Sequence, residues 1–136
     1  MPVGLVVVSH SRALADAAVE LARGMLPGRE LAVGVAAGDV DGGLGTDATA
    51  IADAVAAADS GDGVVVLMDL GSAVLSAETA LEFLDDDQRA RVVLSPAPLV
   101  EGLVGAAVVA ASGASRDRVA AEALQGLAPK QAHLAG

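Results

Sequence analysis

The sequence contains no cysteine, tryptophan or tyrosine, one phenylalanine and two histidines among 136 residues. Without cysteine, a disulfide framework and a cysteine-ligated zinc are both excluded. Two histidines are too few for a histidine-rich metal site. A single aromatic, Phe83, offers no platform on which successive bases could stack. Basic residues are scarce as well: 8 Lys and Arg stand against 18 Asp and Glu, for a net charge of −10. Binding a phosphate backbone needs the opposite sign, so a nucleic acid is not an expected partner. Hydrophobic residues make up 54% of the chain, yet no long apolar run accompanies them. The uncharged stretch from Gly102 to Ser115 falls short of the ~20 residues that a spanning helix needs. Much of the apolar count is alanine, a strong helix former and a weak hydrophobe. The start, MPVGLVVVSH, lacks the basic region and cleavage site of a signal peptide. The expectation is a soluble, cytoplasmic, single-domain protein without membrane insertion, whose core is built from Val, Leu and Ala.

The remaining pattern alternates in type. Gly4–Ser9, Leu31–Ala36, Gly63–Met68 and Arg91–Ser95 are short runs rich in β-branched residues. Continuous runs of this kind fit strands covered on both faces. Between them lie segments with helical spacing. Leu14, Ala18, Leu21, Ala22 and Met25 mark the first, stopped by Pro27 and Gly28. Thr46 to Asp59 is the second, with Thr46 as candidate N-cap. Ser72 to Leu84 is the third, with Leu75, Leu81 and Leu84 apolar. Leu99–Ser112 and Arg116–Leu127 give two more. The order β-α-β-α-β-α-β-α-α predicts a parallel α/β sheet with right-handed crossovers. The acidic triplet Asp85-Asp86-Asp87 reads as a solvated turn. Residues 129–136 read as a frayed tail.

Ligands of open α/β sheets bind beyond the carboxyl ends of the strands. Three polar groups lie there: Ser9-His10-Ser11, the Gly-rich loop Ala37–Gly45 leading to Thr46, and Asp69-Leu70-Gly71-Ser72. His10 fits a nucleophile, a base or a metal ligand, and equally a residue capping the first helix. Asp69 can accept from imidazole Nδ1–H, which leaves Nε2 free for attack. It can also be satisfied by turn N–H groups, or be the phosphoacceptor of a receiver domain. That last role wants acidic residues closing the first strand, where this chain has Ser9-His10-Ser11. Gly45-Thr46 and Gly71-Ser72 each set a glycine and a hydroxyl at an expected helix start, where anions are favoured. Asp39 and Asp41 lack the EF-hand spacing, and neither GxGxxG nor a P-loop is present. His133 lies in the tail and carries no expected role.

These residues resemble a known family. GLVVVSHSRALADAAVELARGM from Gly4, GLGTDATAI from Gly43 and VVLMDLGSAVLSAETALEFL from Val65 carry the likeness, with SPAPLVEGLVGAAVVAASGAS from Ser95 as a weaker fourth segment. They resemble the DhaM phosphocarrier family, subunits of the phosphotransferase-dependent dihydroxyacetone kinase, within the mannose-type EIIA domains. The resemblance implies a three-layer sandwich around a mostly parallel four-stranded sheet, a phosphocarrier domain over residues 1–128 and a homodimer. It implies phosphotransferase activity as a subunit of a phosphoenolpyruvate–glycerone phosphotransferase. His10 matches the transiently phosphorylated histidine and Asp69 the carboxylate that supports it. Ser11, Thr46, Gly71 and Ser72 fall where the family surrounds the phosphoryl group. No cofactor or metal is implied. The implied donor is phospho-HPr, and the implied acceptor is ADP on DhaL, with DhaK in the same system. Some family members carry fused HPr-like and enzyme-I-like domains; a chain complete at residue 136 would take phosphoryl groups from a separate HPr. Two alternatives stay open: an EIIA component of a sugar transporter, and a non-catalytic module that binds a phosphate-bearing ligand. The SHS and DLGSAVLSAE segments differ from the THG and GGSP-like turns of the sugar-transporting members and favour the kinase branch.

Overall fold

The structure, a computed structural model, is described for residues 2–136. Four strands alternate with helices. They are β1 (Gly4–Ser9), β2 (Val33–Ala37), β3 (Val64–Met68) and β4 (Val92–Leu94). The helices are α1 (Arg12–Gly24), α2 (Ala48–Ala58), α3 (Gly71–Leu81), α4 (Asp86–Ala90), α5 (Leu99–Ala111), α6 (Arg116–Leu124) and α7 (Ala128–Leu134). The strands form one parallel sheet in the order β2-β1-β3-β4.

The valine runs explain the layering. Side chains alternate between the faces of a strand. Leu5 and Val7 therefore face α1, α5 and α6, while Val6 and Val8 face α2 and α3. Helices cover both faces, so every residue of β1 and β3 is buried. The edge strands β2 and β4 are only partly covered.

Small residues let the helices approach closely. A Cβ on Gly4 would lie 2.3 Å from the carbonyl oxygen of Ala58, at the end of α2. A Cβ on Gly102 would lie 2.7 Å from Cβ of Ala97, with Leu67 of β3 also against it. The same economy reverses part of the expected core. On α1 the buried residues are Ala15, Ala18, Val19 and Ala22. Leu14, Leu21 and Met25, expected to share the core face with Ala18 and Ala22, are instead largely exposed. On α3 the buried residues are Ala73, Ala77 and Ala80, and Leu75 is 68% exposed. A helix held this near the sheet seats its alanines inward and leaves no room for leucine beneath.

Two short helices depart from the expected pattern. Asp85 is an N-cap rather than part of a solvated turn: its side chain accepts from the Gln88 N–H, and Gln88 answers to the Asp85 N–H. This capping box starts α4 within the acidic triplet. The expected tail forms α7, tied to α5 by Lys130 Nζ donating to Glu101 Oε2 at 2.7 Å. No helix among the described residues is long and apolar enough to cross a membrane.

Candidate functional site

Strand order places the site. The chain leaves β1 toward β2 on one side and leaves β3 toward β4 on the other. Such a reversal opens a crevice at the carboxyl ends of the two central strands. Val8 and Met68 are register partners there. The residues that follow, His10 and Asp69, are consequently neighbours.

Asp69 is held by donors from both strand ends. Its Oδ2 accepts from the Ser9 hydroxyl at 2.9 Å and from the His10 N–H at 3.0 Å. Its Oδ1 accepts from the Leu70 N–H at 2.7 Å and lies 2.9 Å from His10 Nδ1. Burial alone would push this carboxyl up. The donors from His10, Ser9 and Leu70 outweigh it and hold Asp69 below the usual carboxylate range. An ionised carboxylate only accepts, so His10 Nδ1 carries the proton and donates it to Asp69. Nε2 then presents its lone pair. The Ser72 hydroxyl sits against Nε2 and donates to it. The His10 side chain is 23% exposed and that of Asp69 9%. Part of the ring is thus open to solvent while the carboxylate that holds it is sheltered.

Three helix starts surround this ring, and they differ. Ser11 caps α1, accepting from the Leu14 N–H at 3.2 Å, and its own N–H donates to Ser9 Oγ at 3.0 Å. Asp47, not the expected Thr46, caps α2 by accepting from the Thr49 N–H. Gly45-Thr46 accordingly lie in the loop before α2 rather than at its start. The Gly45 N–H donates to the His10 carbonyl at 3.0 Å, which pins this loop to the His10 backbone. Thr46 Oγ1 reaches the Ser76 hydroxyl on α3 at 2.5 Å. The start of α3 has no side-chain cap at all. Its first residues, Gly71 and Ser72, bring N–H groups that lack intrahelical partners. The positive end of the helix therefore stands open next to His10.

The structure brings His10, Asp69 and Ser72 into direct contact, with Gly71 adjoining and Ser11 one residue beyond. Thr46 is set one turn away through Ser76. Ser76 belongs to the constellation and was not anticipated, while Ser9, expected only as part of the polar strand end, joins it through Asp69. Ser76 follows Ser72 by one helical turn, a spacing that signals a shared face.

The family model of the EIIA-man family, described as the PTS system fructose IIA component, matches residues 4–120. The chain belongs to the EIIA-man family. A "PEP-dependent dihydroxyacetone kinase, phosphoryl donor subunit DhaM" from Escherichia coli (strain K12) is 46% identical over 97% of this chain and 28% of its own length. One from Pantoea ananatis is 48% identical over the same shares. The chain thus spans little more than a quarter of these two relatives. A "PEP-dependent dihydroxyacetone kinase 2, phosphoryl donor subunit DhaM" from Listeria innocua is 37% identical over 88% of this chain and 95% of its own length. Among solved structures, a protein of unknown function, EF1359, is 36% identical with a TM-score of 0.81, covering 91% of this chain and 94% of that one. A sigma-54 interaction domain protein from Enterococcus faecalis shares the fold at 13% identity and a TM-score of 0.65, covering 98% of this chain and 96% of that one. The EIIA-man segments that carry the match include all three strand ends that build the site.

Proposed function

We propose that this EIIA-man chain is a histidine phosphocarrier of a dihydroxyacetone kinase system. His10 Nε2 attacks the phosphorus of phospho-HPr, the Nε2–P bond forms, and the bond from phosphorus to HPr breaks. Asp69 keeps the ring proton on Nδ1 and stabilises the cationic ring that forms. The Ser72 hydroxyl turns from Nε2 to the incoming phosphoryl oxygens. The Gly71 and Ser72 N–H groups favour the same oxygens through the helix dipole. In the second transfer, an oxygen of the β-phosphate of ADP on DhaL attacks phosphorus, the Nε2–P bond breaks, and ATP results. That ATP, on DhaL, then phosphorylates dihydroxyacetone bound on DhaK. Residues 1–128 form the phosphocarrier domain, acting in the cytoplasm as a homodimer.

One observation carries the reading: a partly exposed imidazole whose Nδ1 is bound by a half-buried carboxylate while Nε2 faces an uncapped helix start. The DhaM names of the relatives support the acceptor assignment. The test is to phosphorylate the protein, remove the donor system and add DhaL loaded with ADP. Stoichiometric ATP is the expected product. A phosphorylated chain that yields no ATP with DhaL would instead place it with the sugar-transporting members or in a signalling role.

A further inference from the structure

We propose that Ser9 is a positioning residue for His10, whose buried hydroxyl fixes the Asp69 carboxylate in the orientation that keeps the ring proton on Nδ1. The inference deepens the phosphocarrier reading and rests on it for its consequence in transfer.

The geometry of one hydroxyl carries it. Ser9 is fully buried at the end of β1. Its Oγ accepts from the Ser11 N–H at 3.0 Å and donates to Asp69 Oδ2 at 2.9 Å. Only a hydroxyl combines both roles at one atom in so little space. The ionised carboxylate cannot donate, so the Ser9 proton must point at Asp69. Each Asp69 oxygen then receives two donors: Ser9 Oγ and the His10 N–H at Oδ2, the Leu70 N–H and His10 Nδ1 at Oδ1. A carboxylate filled in this way has one rotational setting. Without the Ser9 donor, Oδ2 keeps a single backbone partner, and the group gains freedom to turn away from Nδ1. The freed ring then populates its other tautomer, with the proton on Nε2, which has no lone pair there for attack. The Ser9 hydroxyl bonds Asp69 and the Ser11 N–H rather than the ring nitrogens, so its action on the ring passes through Asp69.

Side-chain ¹⁵N NMR of His10, above the pH range of imidazole protonation, reads the tautomer directly. Wild type and Ser9→Thr are expected to show the Nδ1–H form. Ser9→Ala is expected to raise the Nε2–H form about tenfold, the weight of a hydrogen bond to a charged group. Ser9→Cys fills the site with a weaker donor and gives a smaller shift in the same direction. In an Asp69→Asn background, Ser9→Ala should produce no further change. A wild-type tautomer in Ser9→Ala and Ser9→Cys overturns the proposal, as does an undiminished Ser9→Ala effect without the Asp69 carboxylate. The tautomer is read with no phosphoryl donor present. A chain that shows the shift but never accepts phosphate would refute the phosphocarrier reading and leave the Ser9 role standing.

Discussion

The two ring nitrogens of His10 are held by different kinds of group, and the proposed phosphocarrier role uses that difference. Nδ1 meets a half-buried carboxylate with its hydrogen-bonding capacity filled. Nε2 meets a hydroxyl that can rotate away. Replacing Asp69 with Ala removes a charged hydrogen-bond partner, worth about 1.5–3 kcal/mol. Phosphoryl acceptance is expected to slow about tenfold to hundredfold without vanishing, measured as the rate of label uptake. Uptake at the wild-type rate would reduce Asp69 to a turn residue. Ser72→Ala is expected to slow uptake about tenfold while leaving the unfolding midpoint unchanged. At this scale His10 and Asp69 were legible because each directly ends a buried run, where a polar residue needs a reason. Thr46 was less so. Its neighbour Asp47 takes the cap by accepting from the Thr49 N–H, and Thr46 bonds Ser76 instead.

Among the elements, α3 has two duties with opposite demands. Its start stays uncapped beside His10, and its body must lie flat on β1 and β3 through Ala73, Ala77 and Ala80. The alanine pattern of α1 and α3 explains why helix positions were readable from periodicity while their inward faces were not. Periodicity ranks leucine above alanine, whereas a close helix-to-sheet approach selects the smaller side chain. The short helices α4 and α7 were missed for a different reason: each is too brief to show a period. Gly4 shows how tight the layers are. Gly4→Ala sets a methyl group against the backbone of Ala58, and overpacking of this kind costs about 1–3 kcal/mol. The urea midpoint should fall with an unchanged m-value. A midpoint equal to wild type would show that α2 retreats from the sheet freely.

The molecule as a whole stores part of its stability in two carboxylates. Asp69 sits at the carboxyl edge of the sheet. Asp59 lies at the end of α2, where burial pushes its carboxyl up but the Gly61 N–H and Arg91, 2.8 Å away, hold it below the usual range. A carboxyl with a lowered folded pKa stabilises the fold above its unfolded value of about 4. That contribution is lost as pH falls from about 4 through the folded values. Stability should thus decline in that acid window, and Asp59→Asn should make the decline shallower in pH-dependent denaturant melts. A variant as acid-sensitive as wild type would remove Asp59 from the account. The overall α/β plan was legible because alternation of strand and helix admits few topologies, and the same alternation brought the strand ends together.

The central claim is that His10 Nε2 carries a phosphoryl group. Wild-type protein and His10→Ala are to be incubated with phosphoenolpyruvate, enzyme I and HPr, and followed by ³¹P and ¹⁵N NMR. One acid-labile phosphoryl group bonded to Nε2 of His10 is expected in wild type, and none in a folded His10→Ala. Label on His10→Ala at the wild-type level, or none on the wild-type protein, would contradict it.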